Sequence, residues 1–211
     1  MKLSRRQTLS LLSATSALGL LGGFAVSPVR ADGLSDLMEP GPLGEHILGD
    51  PEAPVTIIEY ASMTCPHCKR FHEGPFKEIK KKYIDTGKAK LYFREFPFDP
   101  RAAAAFMLAA CAPKERYFSM IDVLFKQQSV WARSDKVVAE LQKISKLAGF
   151  TQESFEACLK NQELLDNVVA IQEKAQKEYK VDATPSFFIN GERYKGAPTV
   201  EEMGKVIEAL L

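Results

Sequence analysis

The sequence has almost no net charge and contains no internal repeat. Its 28 basic and 27 acidic residues leave a formal charge of +1. Because nucleic-acid binding depends on a concentrated positive charge, this composition does not favour a nucleic-acid partner. Residues 32–211 also lack low-complexity tracts, so they predict an ordinary globular fold. A length of 211 residues suggests one domain, or one domain with a large insertion.

Cysteine is scarce, with four residues in the chain, and only Cys65 and Cys68 form a Cys-x-x-Cys pair. One such pair supplies two of the four ligands of a usual structural zinc site, so we expect no zinc. Met63 extends the pair to the Met-x-Cys-x-x-Cys pattern of soft-metal chaperones, where thioether and thiolate suit Cu(I). Those domains are much shorter than this chain, and copper binding is therefore kept as an alternative.

The longest apolar stretch lies at the N-terminus and predicts a signal peptide over residues 1–31. Lys2, Arg5 and Arg6 form a basic start, residues 9–26 are mostly apolar, and small residues surround a cleavage site after about Ala31. An uncleaved membrane anchor is the alternative. Seven of the eighteen residues from 9 to 26 are Ser, Thr or Gly, which weakens a permanent span.

The start of this segment leaves two export routes open. Residues 4–9, Ser-Arg-Arg-Gln-Thr-Leu, resemble a twin-arginine motif, but paired arginines also occur in ordinary signal peptides. Cleavage after Ala31 would leave 180 residues with 24 basic and 27 acidic side chains, a net charge of −3. All four cysteines would then reach the periplasm, where disulfides persist.

The Cys-Pro-His-Cys segment at residues 65–68 lies where a strand becomes a helix. Residues 55–60 are apolar and β-rich, and residues 69–82 carry apolar side chains at helical spacing. A helix N-terminus presents partial positive charge and unpaired N–H groups, which favour a thiolate at Cys65. Pro66 suits the first helical position, and a charged His67 would add to the stabilisation of the anion.

Residues on both sides extend this unit. Residues 32–44 are rich in Gly and Pro and predict a leader, followed by an edge strand near residues 46–48. Gly74 and Pro75 predict a break in the helix. Residues 89–96 alternate and carry aromatic and β-branched side chains, so they predict the next strand. Together these elements form a β-α-β unit, which is typical of a parallel sheet.

The middle of the chain lacks strand signals. Residues 99–161 show only helical patterns, so they predict an inserted helical block. Helices are expected over 101–111, 117–127 and 136–147, the last on a face formed by Val137, Leu141, Ile144 and Leu147, and a short helix is expected from Thr151.

Strand signals return near the C-terminus. Residues 163–179 predict a long helix, and residues 186–189 and 192–195 predict two strands joined by an Asn-Gly turn, a strong hairpin signal. Residues 199–211 predict a closing amphipathic helix.

This order of elements resembles the DsbA-like thiol:disulfide oxidoreductases of the thioredoxin superfamily. The resemblance rests on Glu59, on the Cys-Pro-His-Cys segment and on residues 181–191, and it spans nearly all of residues 45–211. It implies an α/β thioredoxin-like domain over 45–98 and 162–211, with residues 99–161 inserted as a helical domain.

The resemblance also implies roles for individual residues. Cys65 would be the exposed nucleophile and Cys68 the buried resolving thiol, with Pro66 and His67 between them. Thr184 would offer its backbone to substrate beside a cis Pro185. Glu59 would accept the Cys68 proton, and an acid within an apolar strand is costly unless it is paired or protonated. Where some members of the family have a second acid, this chain has His72, so a paired-carboxylate mechanism is not transferred.

Cys111 and Cys158 fall on separate predicted helices of the inserted block. In an oxidising compartment they favour a structural disulfide, and two buried free thiols are the alternative.

The function implied is oxidation of reduced secreted proteins by dithiol–disulfide exchange. A membrane quinone-linked partner would reoxidise the pair, and no cofactor or metal is expected. An isomerase or reductase is the alternative within redox chemistry. Isomerases usually need a dimerisation domain, and only about twenty residues lie between the predicted cleavage site and the first strand, so we expect a monomer.

Overall fold

The computed structural model describes residues 37–211. The predicted signal peptide and the first five residues of the predicted leader, 32–36, lie outside these residues. Among the helices that are described, none has the combination of length and apolar character needed to cross a membrane.

A mixed five-stranded sheet organises the described part of the chain. Its strands are β1 (Ile47–Leu48), β2 (Val55–Ala61), β3 (Ala89–Glu95), β4 (Ser186–Ile189) and β5 (Glu192–Arg193), arranged in the order β1-β3-β2-β4-β5. β2 and β3 are parallel, with Ile57 opposite Leu91, and the remaining pairs are antiparallel.

β2 is the central strand, and it leads directly to the cysteine pair. It pairs with β3 on one side and β4 on the other, and all seven of its residues are buried. A strand covered on both faces requires a continuous apolar run, which is what residues 55–61 supply apart from Thr56 and Glu59. Cys65 follows four residues after the strand ends.

The predicted hairpin is present, with a shorter second strand. Asn190 and Gly191 both adopt positive φ, 45° and 85°, as a two-residue turn of this kind requires. β5 ends at Arg193 rather than at residue 195, because the chain turns after Tyr194. The Tyr194 hydroxyl donates to the Ala197 carbonyl at 2.7 Å, which stabilises the turn.

The helix after the cysteine pair is divided, as Gly74 and Pro75 predict. Helix α1 covers Pro66–Glu73, α2 covers Pro75–Ile79, and a π-helical turn continues over Lys80–Ile84. Gly74 lies between α1 and α2 with φ −117° and ψ −102°, outside the helical region. Pro75 supplies no backbone N–H, so the ladder of α1 cannot continue through it.

Six further helices follow β3, and one closes the chain. They are α3 (Pro100–Cys111), α4 (Tyr117–Lys126), α5 (Gln128–Trp131), α6 (Val137–Leu147), α7 (Gln152–Leu159), α8 (Gln162–Tyr179) and α9 (Val200–Glu208). Five of them, α3 to α7, form the helical block predicted between residues 99 and 161. α8 packs against both α3 and β3.

One core position within this block was predicted wrongly. Leu147 is 78% exposed, whereas Leu141 and Ile144 of the same helix are buried. Leu147 is the last residue of α6, and the chain leaves the helix through Gly149 at a φ of 93°. The apolar pattern in the sequence therefore extends past the part of α6 that packs against the core.

A disulfide joins two helices of the block. Cys111, at the end of α3, and Cys158, in α7, have sulfur atoms 2.13 Å apart. The two residues are 47 positions apart in the chain, so the bond closes a long loop. In the chain-entropy description such a loop is worth roughly 4 kcal/mol of stability, through restriction of the unfolded state.

We predict that replacing both residues, C111A/C158A, lowers the free energy of unfolding by about 2–4 kcal/mol. Urea denaturation followed by circular dichroism measures this change. The double variant C65A/C68A, kept under the same conditions, is the control for loss of the other cysteine pair. An unchanged denaturation midpoint for C111A/C158A would contradict the prediction.

Candidate active site

Cys65 occupies the cap position at the N-terminus of α1. Its N–H donates to the Ser62 carbonyl at 3.1 Å, which closes a turn after β2, and its own carbonyl accepts from Lys69 in the first turn of the helix. Pro66 is the first helical residue, and the first turn contains no acidic side chain. The Cys65 sulfur therefore lies at the positive end of the helix without a competing negative charge in that turn.

The surroundings of Cys65 lower its thiol pKa to about 5. The largest cause is a hydrogen bond from the Cys68 side chain, followed among the favourable causes by the Thr184 side chain and the backbone N–H groups of Cys68 and His67. Cys65 is only 8% exposed, whereas an exposed nucleophile was expected, and this burial acts in the opposite direction but is outweighed. At neutral pH the sulfur is a thiolate, the form that attacks disulfides.

Cys68 has the opposite character. Cys68 is fully buried, and this burial raises the pKa of its thiol well above the ordinary value. The hydrogen bond with Cys65 and the negative charge of Glu59 raise the pKa further. Two thiols three residues apart therefore differ sharply in acidity, and both are free in this structure.

Glu59 forms a buried pair with His72, which the sequence did not connect. Glu59 is fully buried in β2, and His72 on α1 is 6% exposed. The His72 Nε2 lies 3.1 Å and 3.0 Å from the two carboxylate oxygens. The partner that a buried acid requires is thus a histidine. The ring of His72 also stacks on Phe125 of α4, at a centroid distance of 4.5 Å.

His67 is exposed on α1 and bonded to Arg70 one turn later. The Arg70 Nη2 donates to the His67 Nδ1 at 2.7 Å. A guanidinium can only donate, so Nδ1 must present its lone pair in this arrangement. Arg70, which the sequence analysis did not single out, therefore adds a positive charge beside His67 on this face of α1.

Thr184 and Pro185 face the cysteine pair from the loop just before β4. The peptide bond between them is cis. The Cys65 Sγ lies 3.3 Å from the Thr184 carbonyl oxygen. The Thr184 hydroxyl is buried, and its interaction with Cys65 is among the causes that lower the pKa of that thiol.

An open cavity of about 710 Å³ adjoins the Cys65 sulfur. Its apolar walls include Phe71, Pro75 and Phe98, and Phe98 is 52% exposed. Thr184 and Pro185 line the same cavity, so an extended peptide there would pass both the sulfur and the Thr184 backbone. Cys111 and Cys158 do not line it.

Two contacts of the active-site turn were not found from the sequence. The Thr64 hydroxyl donates to the Asp99 Oδ2 at 2.6 Å, while the Asp99 Oδ1 caps α3 by accepting from two backbone N–H groups. Gln128, at the start of α5, donates to the carbonyls of Met63 and Cys65. An aspartate before a proline, as at Asp99, does indicate a helix cap. No pattern in the sequence indicates that Gln128 contacts the active-site turn.

We predict that C68A raises the Cys65 pKa by about one to two units, because the loss of a hydrogen bond to a charged group is worth about 1.5–3 kcal/mol. C68S is the matched variant, since its hydroxyl can still donate, and its Cys65 should titrate closer to the wild type. The pH dependence of iodoacetamide alkylation measures both. Identical titrations for the two variants would contradict the role of the Cys68 donor.

Comparison with known proteins agrees with this geometry. The thioredoxin family matches the chain over residues 43–209. Alpha-DsbA1 of Wolbachia pipientis superposes with a TM-score of 0.77 at 35% identity, covering 83% of this chain and 94% of that one. BdbD of Bacillus subtilis gives 0.70 at 22% identity, covering 79% and 92%, which supports the fold alone.

A relative from Rickettsia bellii, named provisionally as a protein-disulfide oxidoreductase, is 36% identical over 148 residues. The match covers 70% of this chain and 57% of that relative, so the chain spans little more than half of its length. The family match covers most of the chain, and the likeness to alpha-DsbA1 spans nearly the whole of that protein. The chain therefore belongs to the thioredoxin family, among its DsbA-like members.

Proposed function

We propose that this protein is a thiol:disulfide oxidoreductase that introduces disulfide bonds into other proteins. The observation that carries the proposal is the contrast in acidity between the two thiols. The pKa of Cys65 is lowered to about 5, and that of Cys68 is raised well above the ordinary value. The Cys65 sulfur is thus stable as a thiolate, both as a nucleophile and as a leaving group. The Cys68 sulfur can leave a disulfide only if it takes up a proton.

The reaction follows from this contrast. In the oxidised protein a substrate thiolate attacks the Cys65 sulfur, the Cys65–Cys68 bond breaks, and the electron pair stays on Cys68, which takes up a proton. A second substrate thiolate then attacks the substrate sulfur of the mixed disulfide. The substrate leaves with its new disulfide, and the electron pair of the broken bond remains on Cys65 as a thiolate.

The direction depends on which form of the pair is stabilised. Every interaction that favours the Cys65 thiolate stabilises the reduced protein, so its disulfide becomes a stronger oxidant. Each unit by which the thiol pKa is lowered corresponds to about 30 mV for this two-electron couple. The contacts of Cys65 with Cys68, Thr184 and the N-terminus of α1 therefore support oxidation of substrates over reduction.

Glu59 is proposed as the group that exchanges the proton of Cys68. The carboxylate is fully buried, and its charge is among the causes that raise the Cys68 pKa. His72 fixes the position of both carboxylate oxygens. A base in this position would serve Cys68 when that residue must lose its proton to reform the disulfide.

The site of action proposed is the periplasm. The predicted signal peptide and the Cys111–Cys158 disulfide both suit an oxidising compartment. Reduced secreted proteins would be the substrates, and a quinone-linked membrane protein would return Cys65 and Cys68 to the disulfide. We propose that the protein acts as a monomer.

Two alternatives were raised by the sequence. An isomerase or reductase would use the same two thiols, and the acidity of Cys65 favours the oxidase over both. A copper site would use the thioether of Met63, but that residue is 0% exposed and packs in the core beside Phe93 and Phe106. The burial of Met63 is unfavourable to a metal-accepting loop.

We predict that the oxidised protein rapidly oxidises a reduced, unfolded protein substrate and poorly rescues one with scrambled disulfides. Activity recovered by the substrate measures both reactions, and C65A, which lacks the nucleophile, is the control. Efficient rescue of the scrambled substrate with slow oxidation of the reduced one would favour the isomerase. Tight stoichiometric copper binding without thiol oxidation would favour the metal-binding alternative.

We predict that E59Q slows reformation of the Cys65–Cys68 disulfide by about tenfold or more. A well-placed general base typically accelerates a reaction by about 10²–10⁴-fold. Stopped-flow mixing of the reduced protein with oxidised glutathione, across pH, measures this step. Glu73 on the exposed face of α1 provides the control E73Q. A rate for E59Q equal to the wild type at every pH would remove Glu59 from the mechanism.

A further inference from the structure

Gln128 reaches from the helical block into the turn that carries the nucleophile. It is the first residue of α5 and is 6% exposed. Its side-chain Nε2 donates to the Met63 carbonyl at 2.8 Å and to the Cys65 carbonyl at 2.9 Å. One buried amide therefore donates to the backbone carbonyls of the reactive cysteine and of the residue two positions before it.

The two carbonyls differ in the other hydrogen bonds that they accept. The Met63 carbonyl accepts no other hydrogen bond within residues 37–211, whereas the Cys65 carbonyl also accepts from the Lys69 N–H at 3.2 Å. Without Gln128, the Met63 carbonyl would be left buried and unpaired, which a folded chain avoids by moving the backbone. Gln128 thus fixes the Met63–Thr64 and Cys65–Pro66 peptide groups of the turn.

The position of this backbone determines which N–H groups and carbonyl oxygens lie near the Cys65 sulfur. Part of the thiolate stabilisation comes from the N–H groups of His67 and Cys68, which act only if Cys65 caps α1 in its observed orientation. The carbonyl oxygens of Met63 and Cys65 carry partial negative charge, which disfavours a nearby anion. An amide that donates to both oxygens offsets that charge and holds the helix end toward the sulfur.

We propose that Gln128 is a positioning residue for Cys65, which orients the active-site turn and shields its carbonyl dipoles so that the sulfur remains anionic. The residue acts through the backbone and touches neither substrate nor sulfur. The inference rests on the proposed function in one respect, namely that Cys65 reacts as a thiolate. It assigns to the inserted helical block a part in the chemistry of the cysteine pair.

The neighbouring Gln127 provides a matched control. It carries the same side chain one position earlier and is partly buried, yet its amide makes no hydrogen bond within residues 37–211. Gln127 lies at the junction of α4 and α5, so substitutions there reproduce the change in composition without removing a donor from the turn.

The test compares Q128L and Q128E with Q127L and Q127E in the full-length protein. Q128L removes both donors at similar volume and should raise the Cys65 pKa by about one unit, which is about a tenfold change in the redox equilibrium constant with glutathione. Q128E also places a carboxylate against two carbonyls and should raise the Cys65 pKa at least as much as Q128L does. The Gln127 variants should match the wild type. Thiolate absorbance against pH and the glutathione equilibrium measure the two quantities.

Thermal denaturation of the same variants separates positioning from packing. A lower melting temperature for Q128L and Q128E with unchanged Cys65 titration and unchanged glutathione equilibrium would overturn the inference, because Gln128 would then serve the core alone. If Q128L does not fold, Q128M, which is unbranched and similar in length, replaces it. An ordinary thiol pKa for Cys65 in the wild type would instead overturn the proposed function, and this inference with it.

Discussion

The stabilisation of one negative charge, on the sulfur of Cys65, is the interaction on which the rest of the site depends. The cap position of α1 supplies backbone N–H groups, Cys68 supplies a thiol donor, and the Thr184 side chain approaches from the loop before β4. None of these donors is strong alone. Their convergence on the sulfur of a buried residue, where water screens less than in solution, produces the large shift in acidity. Cys68, one turn into the helix, is a poor acid chiefly because it is fully buried, and its hydrogen bond to Cys65 and the charge of Glu59 raise its pKa further.

The sheet explains how the donors converge. β2 is flanked by β3 and β4, so the turn after β2 and the loop before β4 emerge at the same edge. The parallel β2–β3 pair leads to Asp99 at this edge, and the antiparallel β2–β4 pair brings Thr184 and Pro185 there. The active site is therefore a product of strand order, and the helical block closes it from one side through Asp99 and Gln128.

Much of this arrangement could be predicted from the sequence, because the strongest signals are local. The apolar run of β2, the Cys-Pro-His-Cys segment, the Gly74–Pro75 break and the Asn190–Gly191 turn each depend on neighbouring residues. The α/β thioredoxin-like fold was also predicted, and the comparisons confirm it. Contacts between distant segments left no such signal. The pairing of Glu59 with His72 joins a strand to a helix face, and Gln128 lies 63 residues from the carbonyl of Cys65 to which it donates. Leu147 shows the reverse error, since its spacing is that of a core residue although the helix ends there.

The distance along the chain between these contacts has a consequence for the newly made protein. Donors from residues 67, 68 and 184 surround a single sulfur, so its acidity depends on tertiary structure that forms only when distant parts of the described chain have folded together. Before that point Cys65 is an ordinary thiol, mostly protonated at neutral pH and slow to attack. Reactivity and folding are coupled in time: a half-made or half-folded chain is chemically quiet, and its cysteines are spared from wrong pairing until the fold that uses them is complete.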